Sequence, residues 1–184
     1  DQSGRDVHQI INPADGNSVV AEFAYSTPED VAKAVKAAQE AFASWKNTPV
    51  AQRCRILFHC KELLEQRMGE IAQLLVQENG KTLSEAEGSV RRGIEVVEFA
   101  SGMPSLVKGD FIEDIAGKVD GYQYREPLGV VAGACPFNFP AMVPMWMYPI
   151  AIGCGNAFIL KPSERDPSAS LLMAQWLKEA GLPD

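Results

Sequence analysis

The sequence is poor in histidine: His8 and His59 are the only two among 184 residues, too few for a histidine-rich metal site. Its four cysteines, Cys54, Cys60, Cys135 and Cys154, form no CxxC pair and no regular framework. Zinc-type spacing and a disulfide scaffold are therefore not indicated. Four free thiols in a reducing compartment is the simple reading, which points to the cytoplasm, or to the mitochondrial matrix in a eukaryote. Positive charge is also scarce, with 17 Lys and Arg against 24 Asp and Glu and a net charge of −7. The basic residues are scattered, which argues against a nucleic-acid partner and against a polybasic membrane patch. The longest apolar run, 141–157, is broken by Pro144, Pro149 and glycines and is too short to span a bilayer. No charged start followed by an apolar stretch marks a secretory signal. The dinucleotide fingerprint GxGxxG is missing, since Gly129 and Gly133 do not compose it. Repeats, low-complexity segments and Ser/Gly/Pro linkers are absent as well.

What is present can bury a core, since 46% of the residues are hydrophobic. Residues 7–25 alternate around Asn12-Pro13-Ala14-Asp15-Gly16, a turn signal, and predict a β-hairpin. Thr27-Pro28-Glu29-Asp30 opens a helix with a capping box, and Val31, Ala34, Val35, Ala38, Phe42 and Trp45 share one of its faces. A second helix is expected from Val50 to Arg67 and a third to Asn79, stopped by Gly80. Ser84-Glu85-Ala86-Glu87 reads as the capping box of a fourth, running to about Ala100, with Val90, Ile94 and Val97 inward. Arg91 and Arg92 lie on that helix, where arginines ordinarily line a solvated face. Residues 108–126 alternate and are polar, with Gly117 and Gly121 as punctuation. They predict a projecting β-hairpin, either a subunit-contact arm or a plain surface hairpin.

The chemistry concentrates in 128–167. Leu128–Cys135 is a continuous small or apolar run, as expected of a parallel strand covered on both faces, with Gly133 and Ala134 leaving room for a backbone or ligand. Pro136 and Pro140 fix the loop that carries Asn138. A rigidly held amide at a strand end suits developing oxyanion charge, although an Asn there can equally serve its own loop backbone. Residues 156–160 form a second strand, ended by Lys161-Pro162-Ser163-Glu164-Arg165. Lys161 and Glu164 can hold a ribose, the carboxylate disfavouring a 2′-phosphate, or can be a surface ion pair; Arg165 can tolerate such a phosphate. Two such strands place a nucleotide-type site on the carboxyl edge of a parallel sheet.

At these residues the chain resembles the aldehyde dehydrogenase superfamily. The carrying motifs are PFNFP (136–140), GCGNAFILKPSE (153–164) and ENGKTLSEAEG (78–88), and the resemblance spans nearly the whole chain. Most members have Trp where Phe137 stands. PFNFPAMVPMWMYP, KPSER and RGIEVVEFA (92–100) are most similar to the coenzyme-A-acylating branch that acts on methylmalonate semialdehyde. The resemblance implies NAD-dependent oxidation of an aldehyde through a cysteine thiohemiacetal and thioester, released to coenzyme A with loss of carbon dioxide along the way, as propionyl-CoA from methylmalonate semialdehyde or acetyl-CoA from malonate semialdehyde. It implies the oxyanion amide at Asn138, the substrate carboxylate at Arg92, and the cofactor channel at Cys135 (through its backbone), Phe137, Lys161, Glu164 and Arg165. It implies a homo-oligomer, dimer or tetramer, and no metal.

The expected architecture is α/β: an N-terminal hairpin and helical layer (1–107), a β-hairpin oligomerisation arm (108–126), and the first strands and helices of a Rossmann-like NAD-binding domain (127–184). The family's nucleophile sits in a later glycine-rich context, so the catalytic domain is expected to lie outside these residues and the 184 residues alone to be inactive. Gln52-Arg53-Cys54 imitates that context but falls on an amphipathic helix, where a packing cysteine is expected. A non-acylating aldehyde dehydrogenase acting on another semialdehyde, and a non-catalytic assembly module, are the alternative readings.

Overall fold

The computed structural model describes residues 6–183. Turn chemistry shapes its beginning. The Asp15 carboxylate accepts from the backbone N–H groups of Asn17 and Ser18, each at 2.9 Å, and from the Ser18 hydroxyl. This closes the expected antiparallel hairpin of β1 (Val7–Ile11) and β2 (Val19–Ala24). Helix α1 (Pro28–Trp45) starts as expected: the Asp30 N–H donates to Thr27 Oγ1 at 3.3 Å and the Thr27 N–H to the Asp30 carboxylate at 2.9 Å. Its apolar face is less covered than the pattern predicts. Trp45 is buried and donates its indole N–H to the Ile152 carbonyl at 3.2 Å, but Val31 is exposed. Ala34 and Ala38 border an open apolar groove of about 440 Å³ beside β6 (Ala157–Lys161).

Helices α2 (Val50–Gln66) and α3 (Met68–Asn79) break at Arg67, and α3 ends at Gly80 with φ +78°, as expected. A Cβ on Gly80 would stand 2.8 Å from Pro13 Cγ, so the glycine also lets the hairpin turn rest against the helix end. Helix α4 (Leu83–Ser101) departs from expectation at its start. Its capping box is Thr82 with Glu85, because Thr82 is extended and takes the Glu85 N–H at 3.3 Å. Ser84 already lies inside the first turn, and a helical residue cannot be the N-cap. After the short α5 (Met103–Leu106) come the exposed hairpin β3 (Phe111–Ala116) and β4 (Val119–Tyr122), then β5 (Val130–Ala134), α6 (Met142–Gly153), β6 and α7 (Ser168–Glu179).

Strands β5 and β6 pair in parallel, from Val130 opposite Ala157 to Ala134 opposite Lys161. They are not covered on both faces: Ala132 and Ala134 are exposed and most other positions half-buried. Among the described residues this sheet has two strands, so each is an edge. The room expected at Gly133 is taken by protein. A Cβ there would fall 2.6 Å from Phe158 Cζ and 3.0 Å from Met147 Cε.

The main core lies among helices rather than on the sheet. Leu57, Leu64, Ile71, Val90, Met145 and Met173 are fully enclosed, and α4 packs on α2, α3 and α6. Each such side chain contributes roughly 2 kcal/mol. Arg53 is buried at the edge of this core. It donates from Nε to the Gly153 carbonyl at 3.1 Å and from Nη1 to the Thr48 carbonyl, which places a cation at the negative end of α6. Cys54 is a packing residue, as expected, and so is Cys60: burial pushes both thiols up, Cys60 to about 12. Among the described residues no helix is long and apolar enough to cross a membrane, and no three His, Cys, Asp or Glu side chains cluster as a metal site.

Two outcomes follow from these groups. Hydrogen bonds from the Ser18 side chain and then from the Asn17 and Ser18 backbone lower the Asp15 carboxyl from 3.8 to about 2. The turn's contribution is therefore complete above about pH 4 and lost as pH falls through about 2. The Asn17 and Ser18 amide shifts should titrate near 2; a midpoint at the unperturbed value would mean the contacts do not form. At pH 8 about one Cys60 thiol in ten thousand is ionised, so iodoacetamide should modify Cys60 only once the fold is opened with urea. Rapid labelling of Cys60 in the folded protein, read by mass spectrometry, would contradict its burial.

Candidate functional site

The carboxyl ends of β5 and β6 lie side by side. One backbone bond carries the ladder past β5, with the Cys135 N–H donating to the Lys161 carbonyl at 3.0 Å. Two polar loops leave from this edge, where open α/β sheets bind ligands. The first, 136–140, is held by its carbonyls. The Phe137 carbonyl accepts from Asn79 Nδ2 at 2.7 Å and the Pro140 carbonyl from the Ser170 hydroxyl at 3.2 Å. Asn138 lies between them with its side chain exposed, and among the described residues no hydrogen bond ties its amide. The loop-serving role open to this Asn is thus not the one it plays here.

Aromatic rings flank Asn138 on both sides, and each carries a cation. The Arg165 guanidinium lies 4.5 Å from the Phe137 ring centre. Lys81 Nζ lies 4.1 Å and Arg92 Cζ 5.8 Å from the Phe139 ring centre. Such contacts contribute about 0.5–1 kcal/mol at exposed positions. Arg92 is on the solvated face of α4, bonded through Nε to the Gly88 carbonyl at 3.3 Å, yet it reaches the ring next to Asn138. Sequence position alone leaves these two aspects of Arg92 unconnected.

In the second loop Lys161 Nζ meets Glu164 Oε2 at 2.8 Å. The lysine is the main influence holding the Glu164 carboxyl below its ordinary range. Both groups are exposed, so the pair adds little stability and both remain accessible. The ammonium can donate to hydroxyls and the carboxylate can accept from them. Cys135 differs: its side chain is buried, and burial pushes its thiol up although Lys161 opposes the shift. At this edge it offers backbone, not a reactive sulfur.

Glu78, Asn79 and Asp166, none of them given a site role from the sequence, occupy the space between the loops. Asn79 Nδ2 donates to Asp166 Oδ2 at 2.8 Å. The Glu78 carboxylate accepts the Ser168 N–H at 3.1 Å and the Ser168 hydroxyl. It thereby caps α7, whose own N-cap, Pro167, has no side chain to do so. Burial pushes both carboxyls up, against the pull of Ser168 on Glu78 and of Asn79 on Asp166. A cavity of about 410 Å³ opens beside them, bordered by His8, Glu78, Asn79, Phe137, Glu164 and Arg165. The sequence held one clue. A carboxylate in the last turn of α3 opposes that helix's dipole, so the partner of Glu78 had to lie elsewhere. Nothing local marked Asp166.

Cys135, Phe137, Asn138, Lys161, Glu164 and Arg165 thus share one edge, and Arg92 joins them from α4. Comparison with known proteins bears on what this edge is. The model of the aldehyde dehydrogenase family matches residues 1–184. The chain is 52% identical over 174 residues, 95% of its length, to a malonate-semialdehyde dehydrogenase of Bacillus pumilus (strain SAFR-032), covering 36% of that protein. It is 49% identical over 175 residues, again 95% of its length, to an acylating mitochondrial methylmalonate-semialdehyde dehydrogenase of Arabidopsis thaliana, covering 29% of it. The crystal structure of the methylmalonate-semialdehyde dehydrogenase from Oceanimonas doudoroffii superposes with a TM-score of 0.95 at 47% identity, over 99% of this chain and 37% of that one. A Sinorhizobium meliloti 1021 structure assigned to the same activity and complexed with NAD gives 0.93 at 47% identity, over 98% and 36%. The chain therefore spans only about a third of the length of these relatives. In sequence and in fold it belongs to the aldehyde dehydrogenase family.

Proposed function

We propose that the chain is the N-terminal part of an NAD-dependent, coenzyme-A-acylating semialdehyde dehydrogenase that converts methylmalonate semialdehyde to propionyl-CoA, and malonate semialdehyde to acetyl-CoA, the substrate carboxylate leaving as carbon dioxide in each case. The observation that carries the reading is the Arg92 guanidinium 5.8 Å from the ring of Phe139, the residue after Asn138. A semialdehyde that also bears a carboxylate needs a donor at its carbonyl oxygen and a cation at its far end. Asn138 and Arg92 supply the two. Relatives at 52% and 49% identity named for malonate and methylmalonate semialdehydes support the same substrate class.

In this reading the Asn138 amide donates to the carbonyl oxygen as negative charge grows on it. Because the loop is already held by Asn79 and Ser170, little reorganisation accompanies the step. Arg92 orients the substrate by charge-assisted bonds to its carboxylate. The Lys161–Glu164 pair fits a ribose, offering a donor and an acceptor at the carboxyl end of β6. These two residues hold the adenosine ribose of NAD, with Phe137, Arg165 and the Cys135 backbone along the same channel. Bound NAD supplies the hydride acceptor, and coenzyme A takes the acyl group. The nucleophile is none of Cys54, Cys60 and Cys135, whose thiols burial pushes up, nor Cys154, which lies at the amino end of β6, away from the site edge, with its thiol 3.7 Å from Met103 Sδ; in this reading the 184 residues by themselves form no NADH. Residues 1–107 are the hairpin and helical layer, 108–126 an assembly arm and 127–184 the start of the cofactor-binding domain. The arm exposes Phe111, Ile112, Ile115 and Val119, apolar surface that a homodimer or homotetramer would cover. The protein works in the cytoplasm, or in the matrix of a eukaryote.

Absorbance of NADH in the full-length protein tests the reading. Methylmalonate semialdehyde should yield NADH, with coenzyme A accelerating turnover and propionyl-CoA as the product. Indifference to coenzyme A would leave a non-acylating dehydrogenase, and no NADH with any aldehyde would remove the enzyme reading altogether. Arg92→Ala should lower kcat/KM for methylmalonate semialdehyde about tenfold or more, with a much smaller loss for uncharged propanal. Equal losses for the two aldehydes would make Arg92 structural.

A further inference from the structure

A single side-chain amide joins the two loops of the candidate site. Asn79 Nδ2 donates at 2.7 Å to the carbonyl of Phe137 and at 2.8 Å to Oδ2 of Asp166. One NH2 group has two hydrogens, one for each acceptor. Both partners accept, so only this orientation of the amide satisfies them. The Phe137 carbonyl belongs to the same rigid peptide unit as the N–H of Asn138. Holding that carbonyl fixes the plane from which the Asn138 side chain projects.

Asn138 depends on such backbone support, which Asn79 supplies at Phe137 on one side of it and Ser170 at Pro140 on the other. Its side chain is exposed and makes no hydrogen bond among the described residues. Its aim is therefore set by its backbone. Asn79, in contrast, is anchored from several directions. It is the last residue of α3, followed by the left-handed Gly80, whose N–H returns to the Val76 carbonyl at 3.1 Å. Pro13 lies against Gly80, and the preceding Glu78 is bound to Ser168 at the start of α7. At the other end of the bridge, Asp166 is 1% exposed and precedes α7 by two residues. The bridge thus runs from one packed helix to two loops, and the exposed amide of Asn138 stands at its free end.

We infer that Asn79 is a positioning residue, which clamps the 136–140 loop to the 163–166 loop so that the Asn138 amide meets the reacting carbonyl oxygen. The inference rests on the proposed function and assigns Asn79 a role through Asn138, with no contact of its own to the substrate. Loss of the clamp leaves Asn138 present but misaimed, and misplacement by about 1 Å is enough for a large loss of rate.

A double-mutant cycle in the full-length enzyme tests this, with kcat read from NADH formation. Asn79→Ala should reduce kcat about ten- to a hundredfold in the wild-type background. In an Asn138→Ala background the same change should cost less than about threefold, since the amide it positions is already gone. Asn79→Asp, which keeps the shape and removes the donor, should behave like Asn79→Ala. Thermal midpoints measured alongside separate aim from folding. Equal fold-losses in both backgrounds, or a kcat that only follows a fallen thermal midpoint, would overturn the inference. An active wild type with unchanged kcat in Asn79→Ala would overturn it alone, while a wild type that forms no NADH would overturn the proposed function along with it.

Discussion

Five residues of parallel pairing, Val130–Ala134 against Ala157–Lys161, decide where every other feature of the edge can stand. The side-chain period of a strand is two, so a slip of one residue would turn each side chain to the other face. The register is locked at both ends. At the amino end the Asn156 side chain accepts the Leu128 N–H at 2.7 Å and the Gly129 N–H at 3.0 Å, and its own amide reaches the Ala151 carbonyl. At the carboxyl end the Cys135–Lys161 backbone bond continues the ladder into the loops. Between these locks the strands need no coverage on both faces to keep the loops in place.

Charge is handled differently on the two sides of that edge. Toward solvent, Lys161, Glu164, Arg165 and Arg92 are accessible and paired loosely with each other or with rings. Toward the protein, Glu78 and Asp166 are buried: Ser168 fills both Glu78 oxygens, and Asn79 fills Oδ2 of Asp166, whose Oδ1 has no hydrogen-bond partner among the described residues. An exposed pair contributes little to stability and stays free to exchange partners. A buried carboxylate is costly unless its acceptors are filled, and in being filled it becomes a fixed point. The outer groups suit binding and the inner ones suit support.

Local signals were legible wherever the chemistry was local. The Asp15 turn, the Thr27 box, the Gly80 stop and the two strand ends could all be read from residues within a few positions of one another. The Thr82 box was misread by two positions because Ser84, Glu85 and Glu87 carry the same residue types in a neighbouring frame, and only dihedral angles choose between them. Contacts across long separations were illegible. Asn79 meets Asp166 across 87 positions and Phe137 across 58, and no spacing rule connects such residues. The uncovered face of α1 was misjudged for a related reason: periodicity reports which side of a helix is apolar, not whether anything lies against it. The seven site residues named from sequence do gather in space, but the amide that binds their two loops together came only from the fold.

Gly133 carries a different lesson. From sequence it reads as an opening at a strand end, whereas the space that its missing methyl would fill already belongs to Phe158 and Met147. Selection at such a position registers only that no larger residue is tolerated. An access route kept clear for a ligand and a hole plugged by two neighbours would leave the same invariant glycine in a family profile. Which of the two a glycine represents is a property of its neighbours' side chains, and here those neighbours bind α6 and β6 to the strand that bears the site.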